Sequence, residues 1–305
     1  MRMPMTYTLP EIRHIERAVI YIQTELIDDR IPTLENVADA AGVSKFHFHR
    51  IFKLITGETC AQTITRLRLA KAASELRQET SSITQAAFAA GYGSGQAFAK
   101  AIRRELSTSA SEIRSDPERL SETIRTLTKP SQVAPDQTRP FVQIEIASLE
   151  PLEVLMVRTE DVYPDLVDTY NHLFDIAGGP QNVRAVLGRP HRDIEIYEDK
   201  GFVFDAILVP HAAVPAASGT VVTDRLDRQL YILAQHKGLD ADIPITLDAL
   251  YSHILMCPDI GLADAPCVHH YIDDPEDVEE ALCRTDIYVP ITLPEFVMRA
   301  EAQMI

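Results

Sequence analysis

Two groups of polar side chains in the first third of the chain could contact nucleic acid. In the first group, cationic side chains that can grip guanine or phosphate stand beside an aromatic residue that can touch thymine methyls. Its members are Lys45, Phe46, His49, Arg50 and Lys53. The second group combines an amide, which can pair bidentately with adenine, with further cations. Its members are Gln96, Lys100, Arg103 and Arg104. These residue types indicate recognition of duplex DNA through the major groove.

Each group lies on the second helix of a predicted helix-turn-helix, and this pattern occurs twice. The first copy has apolar positions at i, i+3, i+4 and i+7 over 34–41, a turn at Gly42 and a second helix over 45–55. The second copy repeats the pattern over 83–105. A helix over 59–78 joins them and spans on the order of 30 Å. Because one turn of DNA is ~34 Å, this connector could place the two reading helices in successive major grooves.

Charge is distributed unevenly along the 305 residues, whose formal net charge is −16. Residues 1–129 hold 18 basic and 15 acidic side chains, 130–305 hold 11 and 30, and 44–104 hold 10 and 3. This asymmetry favours one half that meets a polyanion, although a solvated face on an ordinary helical domain gives the same pattern. The four cysteines show no framework spacing, and no signal peptide or membrane-spanning run is recognisable. A reducing cytoplasm is therefore expected.

The second half of the chain reads as strands and helices in a repeated order. Prolines and polar residues predict a linker over 115–140, in which 118–127 could form a short helix. Strand, helix, strand and strand then follow twice, with a repeat of about 80–90 residues. We expect an α+β domain with a cleft between the repeats. His269 and Tyr271 alternate on one strand face and could line this cleft. The residues that could line it or belong to the core are Phe204, Tyr251, His269, Tyr271 and Tyr288.

Residues 9–114 resemble the DNA-binding domain of AraC-type transcriptional regulators. The segments that carry the resemblance are Ala38-Asp39-Ala40-Ala41-Gly42-Val43-Ser44, Arg50-Ile51-Phe52-Lys53, Arg68-Leu69-Ala70 and Ala89-Ala90-Gly91-Tyr92. It implies that bases are read by Phe46, His49 and Arg50 of the first motif and by Gln96 and Lys100 of the second. Ile102 stands where an aromatic is usual, and 106–110 lacks the usual Gly and Pro, so the second helix is expected to contribute mainly phosphate contacts. The implied partners are double-stranded DNA and RNA polymerase.

Residues 141–293 resemble the GyrI-like effector-binding domain. The matching segments are Val203-Phe204-Asp205-Ala206, Leu250-Tyr251, Pro266-Cys267-Val268-His269-His270-Tyr271, Asp274-Pro275 and Thr285-Asp286-Ile287-Tyr288-Val289-Pro290. The resemblance implies a small-molecule pocket where the repeats meet. His269 stands where the family commonly has Glu, and a histidine supplies no fixed negative charge. The expected effector is therefore neutral or anionic and largely apolar, unless Glu195 or Asp205 supplies the missing charge.

Three other interpretations stay open on the sequence. His253 and Cys257, with Cys267 nearby, could bind zinc, but their spacing matches no known finger, so no metal or cofactor is expected. The second interpretation is a GyrI-like hydrolase tethered to a DNA-binding domain, although no nucleophile–base pair, P-loop or Rossmann fingerprint is recognisable. The third is an interaction module whose acidic half binds a basic partner. The favoured interpretation is a non-enzymatic regulator with an all-α double helix-turn-helix domain, a linker and an α+β effector domain. The predicted bounds of these parts are 1–114, 115–140 and 141–305.

Overall fold

The computed structural model describes residues 9–78, 80–129, 143–160, 166–191, 203–212 and 219–294. The chain divides into two compact units, one helical and one built on a sheet, with the division after residue 137. Among the described residues, no helix combines the length and the apolar character needed to cross a membrane.

The helical unit contains both predicted helix-turn-helix motifs. Its helices are α1 (Leu9–Ile27), α2 (Leu34–Ala41), α3 (Phe48–Thr56), α4 (Cys60–Glu75), α5 (Ile83–Ala89), α6 (Gly95–Leu106), α7 (Ala110–Ser115) and α8 (Pro117–Thr128). The hydroxyl of Thr33 accepts a hydrogen bond from the N–H of Asn36 at the start of α2. Ser82 and Ser94 cap α5 and α6 in the same way. Gly42 ends α2 in the left-handed region at φ 69°, which glycine adopts without steric cost.

The bounds of α3 and α4 differ from those predicted. α3 begins at Phe48 rather than at 45. The carbonyl of Ser44 accepts hydrogen bonds from the N–H groups of His47 and Phe48, which holds 45–47 in a turn. α4 ends at Glu75 rather than at 78, because the N–H groups of residues 77 and 78 bond to carbonyls three residues back. Its 16 residues span about 24 Å, which is shorter than expected.

One apolar core joins the second motif to the connector α4 and to the helices that follow. Its buried members include Leu69 of α4, Phe98 of α6 and both Leu120 and Leu127 of α8. The segment 118–127 is therefore helical, and it packs on the rest of the helical unit through these two leucines.

The described part of the second unit is one antiparallel sheet with two α-helices. Its strands are β1 (Glu145–Leu149), β2 (Leu152–Glu160), β3 (Val183–Pro190), β4 (Val203–Pro210), β5 (Val222–Leu226), β6 (Gln229–Lys237), β7 (Gly261–Leu262), β8 (Val268–Tyr271) and β9 (Arg284–Thr292), and its helices are α9 (Leu166–Ala177) and α10 (Ile243–Met256). The strand order is β1-β6-β9-β8-β3-β4-β2-β5, with β7 beside β9. The predicted repeat is confirmed as β2-α9-β3-β4 followed by β6-α10-β8-β9. The short strands β5 and β7 were not predicted.

The two repeats join through β3 and β8 into a continuous sheet. Gly188 of β3 pairs directly with His269 of β8, 81 positions further along the chain. The same separation relates Tyr170 of α9 to Tyr251 of α10. Gly188 and His269 are therefore equivalent positions that face each other where the repeats meet.

Both helices pack on the same face of this sheet. Phe204 of β4 belongs to the core under α9. Ile207 lies three residues further along β4, points to the other side of the strand and belongs to a second core. On β6, Nδ1 of His236 lies 2.8 Å from Oγ1 of Thr246 in α10, whereas Tyr231 points the other way into the second core. We call the two sides the helix face and the outer face.

Candidate functional site

The exposed side of α6 carries the second predicted group of DNA contacts. Phe98 and Ile102 are buried against the core, so the other side of the helix faces away from it. The exposed residues that line an open groove along this side are Gln96, Ala99, Lys100, Arg103 and Arg104. Three cations and one amide on a single helix side can contact phosphates and an adenine edge, which is the chemistry of a DNA-reading helix.

The first predicted group is divided between exposed and buried positions. Lys45 is exposed, and its Nζ lies 5.2 Å from the ring centroid of Phe46. His49 and Arg50 were expected to point outward but are instead buried, with 5% and 6% of their surfaces exposed. The apolar spacing marks only one side of α3 for burial, whereas the folded chain buries residues on both sides. Lys53 is half-buried. A DNA-reading role for all five residues stays a prediction.

The basic excess counted within 44–104 is only partly available to a polyanion. Arg66, Arg68 and Lys71 of α4 each donate a hydrogen bond to a backbone carbonyl of another part of the helical unit. Arg66 also pairs with Glu58, whose residue surface is 7% exposed. These three cations are therefore structural, and the exposed cations of the second motif concentrate on α6.

Four of the five predicted effector contacts belong to the helix side of the sheet. His269 and Tyr271 alternate along β8, and Phe204 lies on β4 under α9. Tyr251 comes from α10, and its hydroxyl lies 3.4 Å from Sγ of Cys267. Phe204, Tyr251 and His269 are buried, whereas Tyr271 is half-buried. This side of the sheet thus carries three aromatic rings and a single imidazole among the predicted contacts.

Gly188 makes room for two of these rings. A Cβ atom at this position would lie 2.7 Å from Cζ of Phe204 and 2.7 Å from the hydroxyl of Tyr271. Tyr170 of α9 packs edge-on against Tyr271 with ring centroids 6.2 Å apart, and its hydroxyl donates to the carbonyl of Leu187 at 2.7 Å. Burial raises the pKa of Tyr170 well above its ordinary value, so this hydroxyl stays neutral. The sequence reasoning missed Tyr170, although its place on the buried side of α9 marks it as facing the sheet.

Tyr288 does not share a face with the other predicted contacts. β9 pairs Ile287 with His269 and Tyr288 with Val268, which places Tyr288 on the outer face. Its ring there packs edge-on against Tyr231 with centroids 5.7 Å apart. Alternation along the strand therefore places Tyr288 and His269 on opposite faces of the sheet, and a ligand-binding role for Tyr288 stays a prediction.

The outer face carries an ion-pair cluster around Asp205, which is 0% exposed. Nε of Arg158 donates to Oδ1 at 2.7 Å, and Nε of Arg189 donates to Oδ2 at 2.8 Å. Nε2 of His191 lies 2.7 Å from Oδ2. Burial alone would raise the pKa of Asp205, but hydrogen bonds from His191 and Arg158 and the charge of Arg189 hold it well below its ordinary value.

Asp205 therefore cannot supply the charge that His269 lacks. Its carboxylate is already paired with two guanidinium groups, and it points to the opposite face of the sheet from His269. Glu195, the other acid considered for this role, lies outside the described residues. In the second repeat, Asp286 occupies the position equivalent to Asp205, and it accepts a hydrogen bond from Nε2 of Gln235 at 2.9 Å.

The described residues include no group of three or more side chains arranged to hold a metal ion. Nε2 of His253 lies 3.5 Å from Sγ of Cys257, which is a local contact on α10. All four cysteines are thiols rather than halves of disulfides. Burial raises the pKa of Cys60 to about 12, so this thiol is not a nucleophile near neutral pH.

Two family models match the chain, one on each unit. Residues 37–116 match a helix-turn-helix domain, and residues 142–292 match the GyrI-like small molecule binding domain. The curated relatives include the regulatory protein SoxS of Salmonella typhimurium, which is 34% identical over 99 residues that cover 32% of this chain and 92% of SoxS. The transposon Tn10 TetD protein of Escherichia coli is 36% identical over 89 residues, which cover 29% of this chain and 63% of TetD.

A solved structure of the EcmrR–DNA complex in EcmrR-RPo also matches, with 16% sequence identity and a TM-score of 0.43. The match covers 87% of this chain and 86% of that chain. This chain spans less than two thirds of the length of TetD but nearly the whole of SoxS. The chain belongs to the AraC family of helix-turn-helix regulators, and its second half is a GyrI-like small-molecule-binding domain.

Proposed function

We propose that this protein is a one-component transcriptional regulator. The helical unit binds double-stranded DNA at specific sequences, and the GyrI-like unit binds a small effector that modulates this binding. The observation that carries the proposal is the pair of helix-turn-helix motifs, the second of which presents three cations and one amide on an exposed helix side. The cations supply affinity through phosphates, and Gln96 supplies a bidentate partner for adenine. The proposed contacts of the first motif are Lys45, Phe46, His49, Arg50 and Lys53.

Binding of the full chain to duplex DNA at several salt concentrations tests the first part. We expect the logarithm of the affinity to fall linearly with the logarithm of the salt concentration, because phosphate contacts release condensed counterions. A chain that binds no duplex even at low salt would contradict a DNA-binding role.

The effector that fits the second unit is neutral or anionic and largely apolar. Phe204, Tyr251 and Tyr271 are the proposed aromatic contacts, and His269 can donate or accept a hydrogen bond or carry a proton. A permanent cation taken from water needs a fixed negative partner. Asp205, the described acid considered for this role, is neutralised by Arg158 and by a second arginine.

His269→Glu should shift ligand preference toward cations. The new carboxylate would stand on the helix face, where it can pair with a bound ammonium group. We expect the affinity for a quaternary ammonium aromatic to rise roughly tenfold, about 1.4 kcal/mol, while a neutral aromatic of the same size binds no better. Isothermal titration calorimetry of the full chain with this matched pair measures the effect.

His211→Glu is the control for the ligand-preference measurement, because it adds the same charge at an exposed position after β4. It should leave both affinities unchanged. Tight binding of the cation by the wild type, unaltered in His269→Glu, would refute the assignment of His269 to the effector site.

We propose no catalytic turnover for this unit, and we place the protein in the reducing cytoplasm, where its four thiols stay reduced. RNA polymerase is the proposed partner of the DNA-bound form, in keeping with membership of a regulator family. A stabilising ligand recovered unchanged after incubation, as judged by mass spectrometry, supports a sensor. Conversion of that ligand to a product would favour the hydrolase alternative.

A further inference from the structure

The connector α4 donates to the C-terminal ends of other helices. Nζ of Lys71 lies 2.5 Å from the carbonyl oxygen of Leu26, near the end of α1, and 2.6 Å from Oδ1 of Asp29. Nη1 of Arg66 donates to the carbonyl of Leu127, near the end of α8, at 2.7 Å. The last carbonyls of a helix lack intrahelical partners and form the negative end of its dipole. A cation placed there therefore satisfies both the hydrogen bond and the charge.

Arg68, the third of these cations, grips the turn of the second helix-turn-helix. Its Nε donates to the carbonyl of Ala90 at 2.9 Å, and its Nη2 donates to the carbonyl of Gly91 at 2.8 Å. Its Cζ also lies 4.1 Å from the ring centroid of Tyr92, which is cation–π distance. Tyr92 in turn packs against Phe98 of α6, with centroids 5.3 Å apart. The planar guanidinium of Arg68 thus links α4 to the turn between α5 and α6 and, through Tyr92, to α6 itself.

The first motif has an equivalent link. Arg17 of α1 donates from Nη2 to the carbonyl of Ala41, the residue before the turn glycine, at 2.7 Å. Ala41 and Ala90 occupy the same place in the two motifs. The repeated unit is therefore three helices long, α1-α2-α3 and α4-α5-α6, and the first helix of each unit supplies an arginine that holds the following turn.

Lys71 and Arg68 consequently tie both three-helix units to one stretch of α4. Lys71 fixes the end of α1, which belongs to the first unit. Arg68 fixes the turn after α5, which belongs to the second unit. Their donors are three residues apart on the same helix, so the two attachment points are rigidly related.

We infer that Arg68 and Lys71 are positioning residues that set the number of base pairs between the two half-sites the protein reads. This inference rests on the proposed DNA-binding function. One inserted base pair moves a half-site by about 3.4 Å and turns it by roughly 34° around the duplex. Two motifs held rigidly on α4 cannot both follow the displaced half-site. Motifs whose contacts with α4 are removed can reorient, and they then lose less binding free energy at the altered spacing.

A series of duplexes that carry the protein's selected site with one or two base pairs inserted or removed between the half-sites tests the inference. We expect the wild type to bind the original spacing at least tenfold more tightly than its neighbours. In Arg68→Gln and Lys71→Gln this preference should fall several-fold. Arg68→Lys, which keeps the charge but not the planar guanidinium, should lie between. The control is Arg77→Gln, which removes an exposed charge just beyond α4 and should leave the preference unchanged.

Amide hydrogen exchange of the full chain provides a readout that does not depend on DNA. Arg68→Gln should accelerate exchange in the turn between α5 and α6 several-fold and leave α2 and α3 unchanged, while Arg77→Gln alters neither. The inference is overturned if Arg68→Gln weakens binding equally at every spacing, or if exchange in that turn is unchanged. If the wild type selects no DNA sequence, the proposed function fails, and exchange alone then decides whether Arg68 holds the turn.

Discussion

Asp205→Asn should destabilise the sheet unit by about 3 kcal/mol, because it removes the buried carboxylate that pairs with two guanidinium groups on the outer face. The estimate takes the low end of the cost of breaking a buried pair, since the side chain of Arg158 is 43% exposed and partly screened by water. The amide would also turn donors toward the donors of Arg189. In a unit of this size the unfolding midpoint should fall by roughly 6–12 °C. Thermal unfolding of the full chain followed by circular dichroism measures the shift.

The stabilisation from Asp205 should depend on pH in a defined direction. The folded-state pKa of Asp205 is held below its ordinary value, so its ionised form stabilises the folded unit above about pH 4 and this contribution is lost as the pH falls further. Wild type and Asp205→Asn should therefore converge in stability in acid. Asp224→Asn is the control, because its carboxylate lies 3.6 Å from Arg189 and its side chain is 42% exposed. Equal destabilisation by the two variants at pH 7 would contradict the buried ion-pair account.

Neutralising the three cations of α6 should produce the largest change in DNA binding. We expect the combined substitution of Lys100, Arg103 and Arg104 by glutamine to reduce the slope of log affinity against log salt by about 2.7, because each lost phosphate contact contributes about 0.9. Fluorescence anisotropy with a labelled duplex across a salt series measures this slope.

A variant with three other cations replaced provides the matched control for the α6 experiment. Arg13, Arg77 and Arg125 are exposed and lie off α6, so their replacement by glutamine changes the net charge equally. That variant should keep a slope close to the wild-type value. If both triple variants lose the same slope, DNA binding follows overall charge and α6 is not the contact surface.

The local features of the fold were predictable because they depend on residues close in the sequence. The cap at Thr33, the left-handed turn at Gly42 and the alternation along β8 each follow from a few neighbouring side chains. The repeated order of strand, helix, strand and strand was likewise predictable from short segments of the sequence. The short strand β5 was not recognised, because its five residues alternate between exposed and half-buried positions and offer little apolar signal.

The faces and the burial of several predicted site residues depend on partners that are distant in the sequence. Tyr288 fell on the outer face because the register between β8 and β9 decides its side, and a shift of one residue would reverse it. His49 and Arg50 are buried on the side of α3 that carries no apolar signal. Arg68 was included in the basic excess counted over 44–104, yet the carbonyls of Ala90 and Gly91 that it binds become its neighbours only when α5 packs on α4.

The most direct test of the central proposal is selection of bound sequences from random duplex DNA by the full chain. We expect enrichment of a motif with two half-sites about one helical turn apart, because two reading helices joined by α4 should meet successive major grooves. Gln96→Ala should then cost on the order of 1–3 kcal/mol on that site and relax the preference at one half-site, because this exposed amide can pair with adenine. A pool that still binds but contains no enriched motif after repeated rounds would contradict sequence-specific recognition.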